Sequence, residues 1–264
     1  MIQNPAILTP SKARMLIRDG QWQGPTAGMA AGYTQANLAI LKKEVAFDFL
    51  LFCQRNPKPC PILDVTEAGS WVPQLVAPDA DLRTDIPGYR IYRHGELTDE
   101  VTDISLYWED DMVAFLIGCS FTFEQALLRN NIPVRHIEEG CNVPMYKTNI
   151  PCVKAGSFEG PMVVSMRPMP EKDVVRAVQV TSRFPSVHGA PVHIGTPASI
   201  GIEDVNRPDF GDHVTINEGE VPVFWACGVT PQAVAMHVKP EIMITHAPGH
   251  MFITDIHEEQ YSVL

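Results

Sequence analysis

The sequence predicts a mixed α/β fold, and three observations lead there. Apolar residues make up 45% of the 264 residues and charged ones 19%, the balance of a chain that buries a core. Segments with apolar residues at every third and fourth position, bounded by capping residues, read as helices, and short apolar runs between them read as strands. Near the C-terminus, strand, helix and strand follow within about 25 residues, the pattern of a compact βαβ unit. A chain this long buries roughly 70–75% of its unfolded surface, so it needs no disulfide or structural metal to fold.

The elements follow in order. Thr9 is a good N-cap, Pro10 suits the first helical position and Gly20 is a stop, so a helix lies between them with Ala13, Leu16 and Ile17 on its apolar face. The loop over 24–28 is rich in Gly and Pro. A longer helix is expected over 34–55, because Leu38, Leu41, Val45, Phe49 and Phe52 recur at steps of three and four. Pro57 and Pro59 end it. Residues 61–65 read as a short strand, and 66–100 as loop-rich with a strand at 89–92. The apolar run 112–118 fits a strand or a helix, and 121–130 looks helical. A strand over 161–167 precedes a helix over 170–183, whose first turn holds Glu171 and Asp173 in favourable register with its dipole. Residues 192–194 and 199–202 are short strand candidates. Residues 221–226 form a β-rich run, Thr230-Pro231 starts a helix that stops before Pro240, and strands follow over 241–245 and 251–255. The strands on either side of that helix are expected to pair in parallel through a right-handed crossover.

Charge narrows the function. The net charge is −11, divided as −4 over 1–110, +1 over 111–184 and −8 over 185–264. An acidic chain without a basic stripe excludes nucleic acid and anionic membrane as partners. The middle segment, with Arg129, Arg135, Arg167 and Arg183, is where an anionic small molecule would find its counter-charges. The charge change also suggests a discontinuous α/β domain over 1–110 and 195–264, with 111–194 inserted as an α+β unit. The cysteines at 53, 60, 119, 141, 152 and 227 form no CxxC pair. The N-terminus lacks the pattern of a signal peptide, and no apolar run approaches ~18 residues. A cytoplasmic protein with six reduced thiols is expected. A homodimer is open to it.

Several residues are placed for chemistry. In a parallel βαβ unit Cys227, just past the first strand, and His246, just past the second, share one sheet edge with Thr230 and Gln232. The helix opening at Thr230 offers free amides to a carboxylate. Each residue alone reads as well as a buried thiol, an N-cap or a loop histidine. A second corner, Gly118-Cys119-Ser120 before a helix, resembles the placement of a nucleophile, without the G-x-S-x-G spacing; Glu124 lies one turn along as an acid. The plainer reading makes Cys119 core and Ser120 a cap. His188 and His193, and His246 and His250, stand in Pro/Gly loops rather than on a helix face. A divalent metal held by them with Asp209 and Asp212 is therefore the less favoured reading, and no cofactor is expected. The loop around Thr26 could wrap a carboxylate, but it matches neither GxGxxG nor a P-loop.

Taken together, nine segments carry a resemblance across nearly the whole chain. They are Asp19-Gly-Gln-Trp-Gln-Gly-Pro-Thr-Ala-Gly28, Gln35-Ala-Asn-Leu38, Asn56-Pro-Lys-Pro-Cys60, Ile117-Gly-Cys-Ser-Phe121 and Asn142-Val-Pro-Met-Tyr146. They continue with Gly160-Pro-Met-Val-Val-Ser-Met-Arg-Pro168, His188-Gly-Ala-Pro-Val-His193, Pro208-Asp-Phe-Gly-Asp212 and Phe224-Trp-Ala-Cys-Gly-Val-Thr-Pro-Gln232. The chain resembles the bacterial hydro-lyase family related to D-glutamate cyclase. The resemblance implies an αβα sandwich domain plus a smaller two-layer α+β domain, and a reaction that eliminates water, with D-glutamate closing to 5-oxo-D-proline as the leading candidate. Two alternatives stand beside it: a hydratase or dehydratase of another amino or hydroxy acid, and a non-catalytic 5-oxoproline-type binding protein.

Cyclisation sets three requirements. A base must take a proton from the ammonium, which suits His246 first and His188 second. The γ-carboxylate must be polarised and its oxygen protonated, which suits clustered donors with Glu124 or Asp212. The α-carboxylate needs an anchor such as Arg167, Arg183 or the helix start at Thr230. Ser120, Gln232, His193 and Thr26 complete the substrate-binding candidates, and Cys227 or Cys119 would serve a covalent route.

Overall fold

The computed structural model describes residues 4–263, except for the side chains of Gln232, Ala235 and Met236. In chain order the elements are α1 (Pro10–Arg18), β1 (Tyr33–Lys42), α2 (Lys43–Arg55), β2 (Ile62–Val65), β3 (Tyr89–Arg93), β4 (Glu96–Val101), β5 (Met112–Gly118), α3 (Phe121–Arg129) and α4 (Arg135–Glu139). They continue with β6 (Met145–Pro151), β7 (Pro161–Pro170), α5 (Glu171–Thr181), β8 (His193–Ile194), β9 (Glu220–Ala226), α6 (Thr230–Val238), β10 (Ile242–His246) and β11 (Phe252–His257). The class is mixed α/β, built on two antiparallel sheets. One has seven strands in the order β2-β5-β1-β10-β3-β4, with β11 also on β1; the other has four, β6-β7-β9-β8.

Three expectations need correction. Residues 34–42 are strand, not the first half of a long helix, and the helix begins at Lys43. β1 is buried on both faces, so its apolar residues show no alternation and can pass for a helical stripe. In fact Leu38 and Ile40 pack on one face of the sheet and Ala39 and Leu41 on the other. The C-terminal strand–helix–strand is not a parallel pair. β9 lies in the four-stranded sheet between β7 and β8, whereas β10 lies in the seven-stranded sheet between β1 and β3, antiparallel to both. Residues 197–200 form a 3₁₀ turn (Pro197–Ile200) rather than a strand.

Other elements fall where the pattern put them. Thr9 Oγ1 accepts the Lys12 amide at 3.4 Å and starts α1, whose Ala13, Leu16 and Ile17 are buried. Gly20, with φ +69°, ends the segment in a conformation that favours glycine. β4, β6 and α4 were not marked by periodicity; β4 is an exposed edge strand of mostly charged and polar residues.

The seven-stranded sheet is covered on one face by residues 76–108, around Val76, Leu82, Ile86 and Ile104. Its other face takes α2 and α6, with Phe49, Phe52, Phe115, Phe158 and Val234 in one cluster. The Phe49 and Phe115 rings meet edge to face, 4.9 Å apart. Each buried phenylalanine stabilises the fold by about 1.5–3 kcal/mol. The four-stranded sheet packs α3 and α5 on the face that carries Met169, Val223 and Trp225, and covers Met166 and Phe224 on the other face with residues 200–216. All six cysteines are free thiols. Among the described residues no helix is long and apolar enough to cross a membrane.

By strand membership the chain enters the second sheet at Met145 and leaves it after Ala226, with β5 still in the first.

Candidate functional site

The chain crosses between its sheets at two corners that meet in space. At the first, β5 of the seven-stranded sheet ends at Gly118 and passes into α3, which packs on the four-stranded sheet. At the second, β9 ends at Ala226 and Cys227-Gly228 leads into α6, which packs back toward the first sheet. The Asn37 amide ties the two corners together. It donates to the Gly118 carbonyl at 2.7 Å, and a Cβ on Gly228 would stand 1.9 Å from the same amide nitrogen. A Cβ on Gly118 would stand 2.3 Å from the Ser186 carbonyl oxygen. Both corners need glycine because another chain segment already fills the space.

Beside this seam lies a buried ionic centre. Arg167 of β7 is fully buried, and its Nε donates to Glu124 Oε1 at 3.0 Å, with Nη2 closing the pair. Its Nη1 donates to Ser165 Oγ at 3.0 Å and its Nη2 to Ser120 Oγ at 3.1 Å. The guanidinium lies beside the Phe123 and Trp225 rings, 5.3 and 5.5 Å from their centroids, and the two rings contact each other at 5.7 Å. His136 of α4 brings Nε2 to 3.3 Å from Glu124 Oε1 without hydrogen-bond geometry, and stacks on Phe121. Among the described residues neither ring nitrogen of His136 has a hydrogen-bond partner. Burial alone would raise the Glu124 pKa, but the neighbouring His136 and the charge and hydrogen bonds of Arg167 hold it at about 2.

The apolar side of the centre contains Cys119, Phe121, Val143, Met145, Cys227 and Met251, with Phe210 packed against it. Phe210 also lines an open cleft of about 370 Å³, together with Arg90, Asn142, Asp212 and His250.

Of the predicted residues, Ser120, Glu124 and Arg167 come together by direct hydrogen bonds, and Cys119 and Cys227 share the adjoining cluster. Ser120 is not a side-chain cap of α3; its hydroxyl serves Arg167. Glu124 as a proton donor is corrected: with a pKa of about 2 it is a carboxylate at neutral pH. The covalent route through the thiols is disfavoured as well. Burial pushes Cys227 up to about 11 and Cys119 further above the usual thiol range.

His246 is not at a shared edge with Cys227, because their strands belong to different sheets. Its Nδ1 accepts the Leu38 amide at 3.1 Å, where β1 changes partner from β10 to β11. The ring therefore completes a strand ladder, and burial lowers its pKa to about 4. His188 bonds the Lys58 carbonyl through Nδ1 at 2.8 Å, and burial likewise brings it to about 4. Thr230 donates to the Cys227 carbonyl and accepts the Val163 amide, so its hydroxyl fastens α6 to β7. Thr26 bonds Gln35 and the Met251 amide and holds the 246–250 loop.

Three predicted residues lie elsewhere. His193 faces Phe224, on the side of the four-stranded sheet opposite Trp225, because β8 pairs it with that residue. Arg183 is exposed beyond α5 and donates to the Val263 carbonyl. Asp212 is exposed and accepts the Asn142 amide. The Gln232 side chain is outside the described residues. Sequence reasoning missed His136, Ser165 and Asn37 as site residues. Asn37 and Ser165 do lie inside segments that carry the resemblance, whereas His136 sits in a charged stretch that reads as solvated surface. Among the described residues no group of three or more His, Cys, Asp or Glu is arranged to hold a metal ion.

The sequence of the chain matches a known family. The model described as D-glutamate cyclase matches residues 113–255, and the chain belongs to that family. It is 74% identical to a Geobacillus kaustophilus protein named "Putative hydro-lyase GK2103", over 98% of each chain. It is 72% identical to "Putative hydro-lyase YcsI" of Bacillus subtilis, over 97% of this chain and 100% of that one. A "Putative hydro-lyase" of Stutzerimonas stutzeri is 68% identical over 97% of each.

Proposed function

We propose that this protein is a cytoplasmic lyase that removes water from an acidic amino acid, closing D-glutamate to 5-oxo-D-proline. The observation that carries the reading is the state of the two serines. Each hydroxyl already accepts a hydrogen bond from Arg167, so each still has its own hydrogen to donate. Two polarised donors in a water-poor site suit a carboxylate whose oxygen gains negative charge as the ring closes. The family match, at 113–255, spans Ser120, Glu124, His136, Ser165 and Arg167.

The reaction balances internally. The ammonium gives up two protons as its nitrogen bonds to the γ-carbon, and both leave as water with one carboxylate oxygen. A group that moves protons from nitrogen to oxygen is therefore needed, rather than a net acid or base. His136 suits that shuttle, because among the described residues its ring nitrogens have no hydrogen-bond partner and Nε2 lies 3.3 Å from Glu124 Oε1. Glu124 then acts as a positioning residue, fixing Arg167 and balancing its charge.

The test is incubation of purified protein with D- and L-glutamate, with and without added manganese or magnesium, followed by chiral separation of 5-oxoproline. The D product is expected. Absence of product from either enantiomer overturns the reading. If calorimetry then shows 5-oxoproline binding, a binding protein replaces the enzyme.

A further inference from the structure

A second feature lies away from the seam, on the outer side of α3 and α5. There an open cleft of about 950 Å³ is lined by Arg129, Lys172, Arg176 and Arg183, over a floor that includes Val180 and Phe184. Its cations differ from most arginines of this chain. Arg14, Arg18, Arg83, Arg90, Arg135 and Arg167 each meet a carboxylate within 4.0 Å. In the cleft Arg129 pairs with Glu258. Among the described residues, Lys172, Arg176 and Arg183 have no carboxylate in that range, though Glu259 stands on the rim.

The arginines are also held in place. Arg176 Nη2 donates to Asn130 Oδ1 at 3.1 Å, and Asn130 in turn donates to the Ala126 carbonyl at 2.8 Å. Arg183 Nε donates to the Val263 carbonyl at 3.1 Å, which leaves the rest of its fork to the cleft. Lys172, Arg176 and Arg183 are exposed to solvent, and their grouping around one concavity makes a locally positive patch for an anion on a chain of net charge −11.

We propose that this cleft binds a soluble organic phosphate carrying two or more negative charges, with an apolar or planar part that rests on Val180 and Phe184. Arginine forks fit phosphate oxygens two at a time, and three unpaired cations exceed what one carboxylate needs. The volume is that of a small-molecule site. A nucleotide or a phosphorylated metabolite has both parts, whereas a polynucleotide meets no continuing basic track on so acidic a chain.

The probes are ATP, tripolyphosphate and adenosine, titrated calorimetrically into the full-length protein. Saturable one-to-one binding of ATP is expected, with tripolyphosphate weaker and adenosine undetectable. Affinity should fall at least tenfold between low and physiological salt. The double variant R176E/R183E should lose at least tenfold, with the thermal midpoint confirming its fold; should it fail to fold, R176Q and the salt series decide. No saturable ATP binding, binding unchanged in the folded variant, or adenosine as tight as ATP would each overturn the proposal. So would attachment to vesicles containing phosphatidylinositol bisphosphate that ATP does not compete away, since that would make the ligand a lipid.

Discussion

Two buried arginines stand in this molecule beside carboxylates, and their surroundings differ. Arg14 on α1 donates to the Ile253 carbonyl and to both oxygens of Asp255, and lies 4.0 Å from Asp85. Asp85 takes both arms of Arg18 at 2.7 Å and the Asp81 amide at 2.9 Å. That network is closed: its donors and acceptors answer each other, and it fastens α1 to β11 and the 81–85 turn. Around Arg167 the pairing is as tight, yet two serines keep hydroxyl hydrogens to give and, among the described residues, neither ring nitrogen of His136 has a hydrogen-bond partner. A buried ion pair alone is a staple. Hydrogen-bonding capacity left over beside one marks a place for a ligand.

The largest effects test that distinction. Asp85→Asn leaves Arg18 without its counter-charge and Arg14 with Asp255 alone, and should cost about 3–5 kcal/mol of stability, with turnover per folded molecule unchanged. Glu124→Gln should lose stability on a similar scale and also lower kcat roughly 100-fold or more, because Arg167 and His136 lose their positioning charge. Urea unfolding and steady-state rates on both variants decide the matter. Equal loss of turnover in the two would erase the contrast between staple and site.

How much of this was legible beforehand depends on where the information sits. The corner at 118–121 could be read, because an apolar run, a glycine and a new helical period stand side by side. Arg167 and Glu124 were each singled out, but their pairing spans 43 positions and no local pattern records it. β1 hid as a helix because burial on both faces removes the alternation that identifies a strand. The C-terminal unit misled for a different reason. Spacing shows that a helix links two strands, but whether both strands join one sheet depends on distant partners, here β7 for β9 and β1 for β10. That one unknown moved His246 from a catalytic edge to a ladder.

The histidines offer the next test, on the order of 3 kcal/mol each. Burial holds His188 and His246 at about 4 against an ordinary value of 6.5. Below pH 6.5 the unfolded chain takes up protons that the folded chain refuses, so stability present above 6.5 is lost as pH falls toward 4. Glu124, also depressed, adds a separate loss below 4.5 that runs down to about 2. Unfolding free energy should therefore decline in two stages on acidification. His188→Gln should remove about half of the first stage, leaving the share of His246, and leave the second unchanged. An unchanged upper stage in that variant would show that His188 does not titrate with unfolding.

Ser120→Ala and Ser165→Ala sharpen the comparison further. Each should lower kcat by about tenfold, the loss of one donor to the developing oxyanion, while the thermal midpoint moves by only a few degrees. The Arg167–Glu124 pair survives either change, so a fall in stability matching that of Glu124→Gln would make the serines part of a staple after all.

The smallest effect is expected at Cys227. Its position at a strand-to-helix corner is that of a nucleophile, and Cys119 occupies the other corner, yet both lie in an apolar cluster with Val143, Met145 and Met251. With burial raising its pKa to about 11, roughly one molecule in ten thousand carries the thiolate at pH 7. What the structure uses at this residue is backbone: the amide donates to the Val163 carbonyl at 2.9 Å, and the carbonyl accepts the Thr230 hydroxyl at 2.7 Å. Alanine keeps both bonds and removes one sulfur from a packed cluster. Cys227→Ala should therefore cost about 1 kcal/mol of stability and leave turnover within about threefold of the parent. A loss of 100-fold or more in a variant that melts normally, with a thioester adduct trapped on the parent protein, would return the reaction to a covalent route through this thiol.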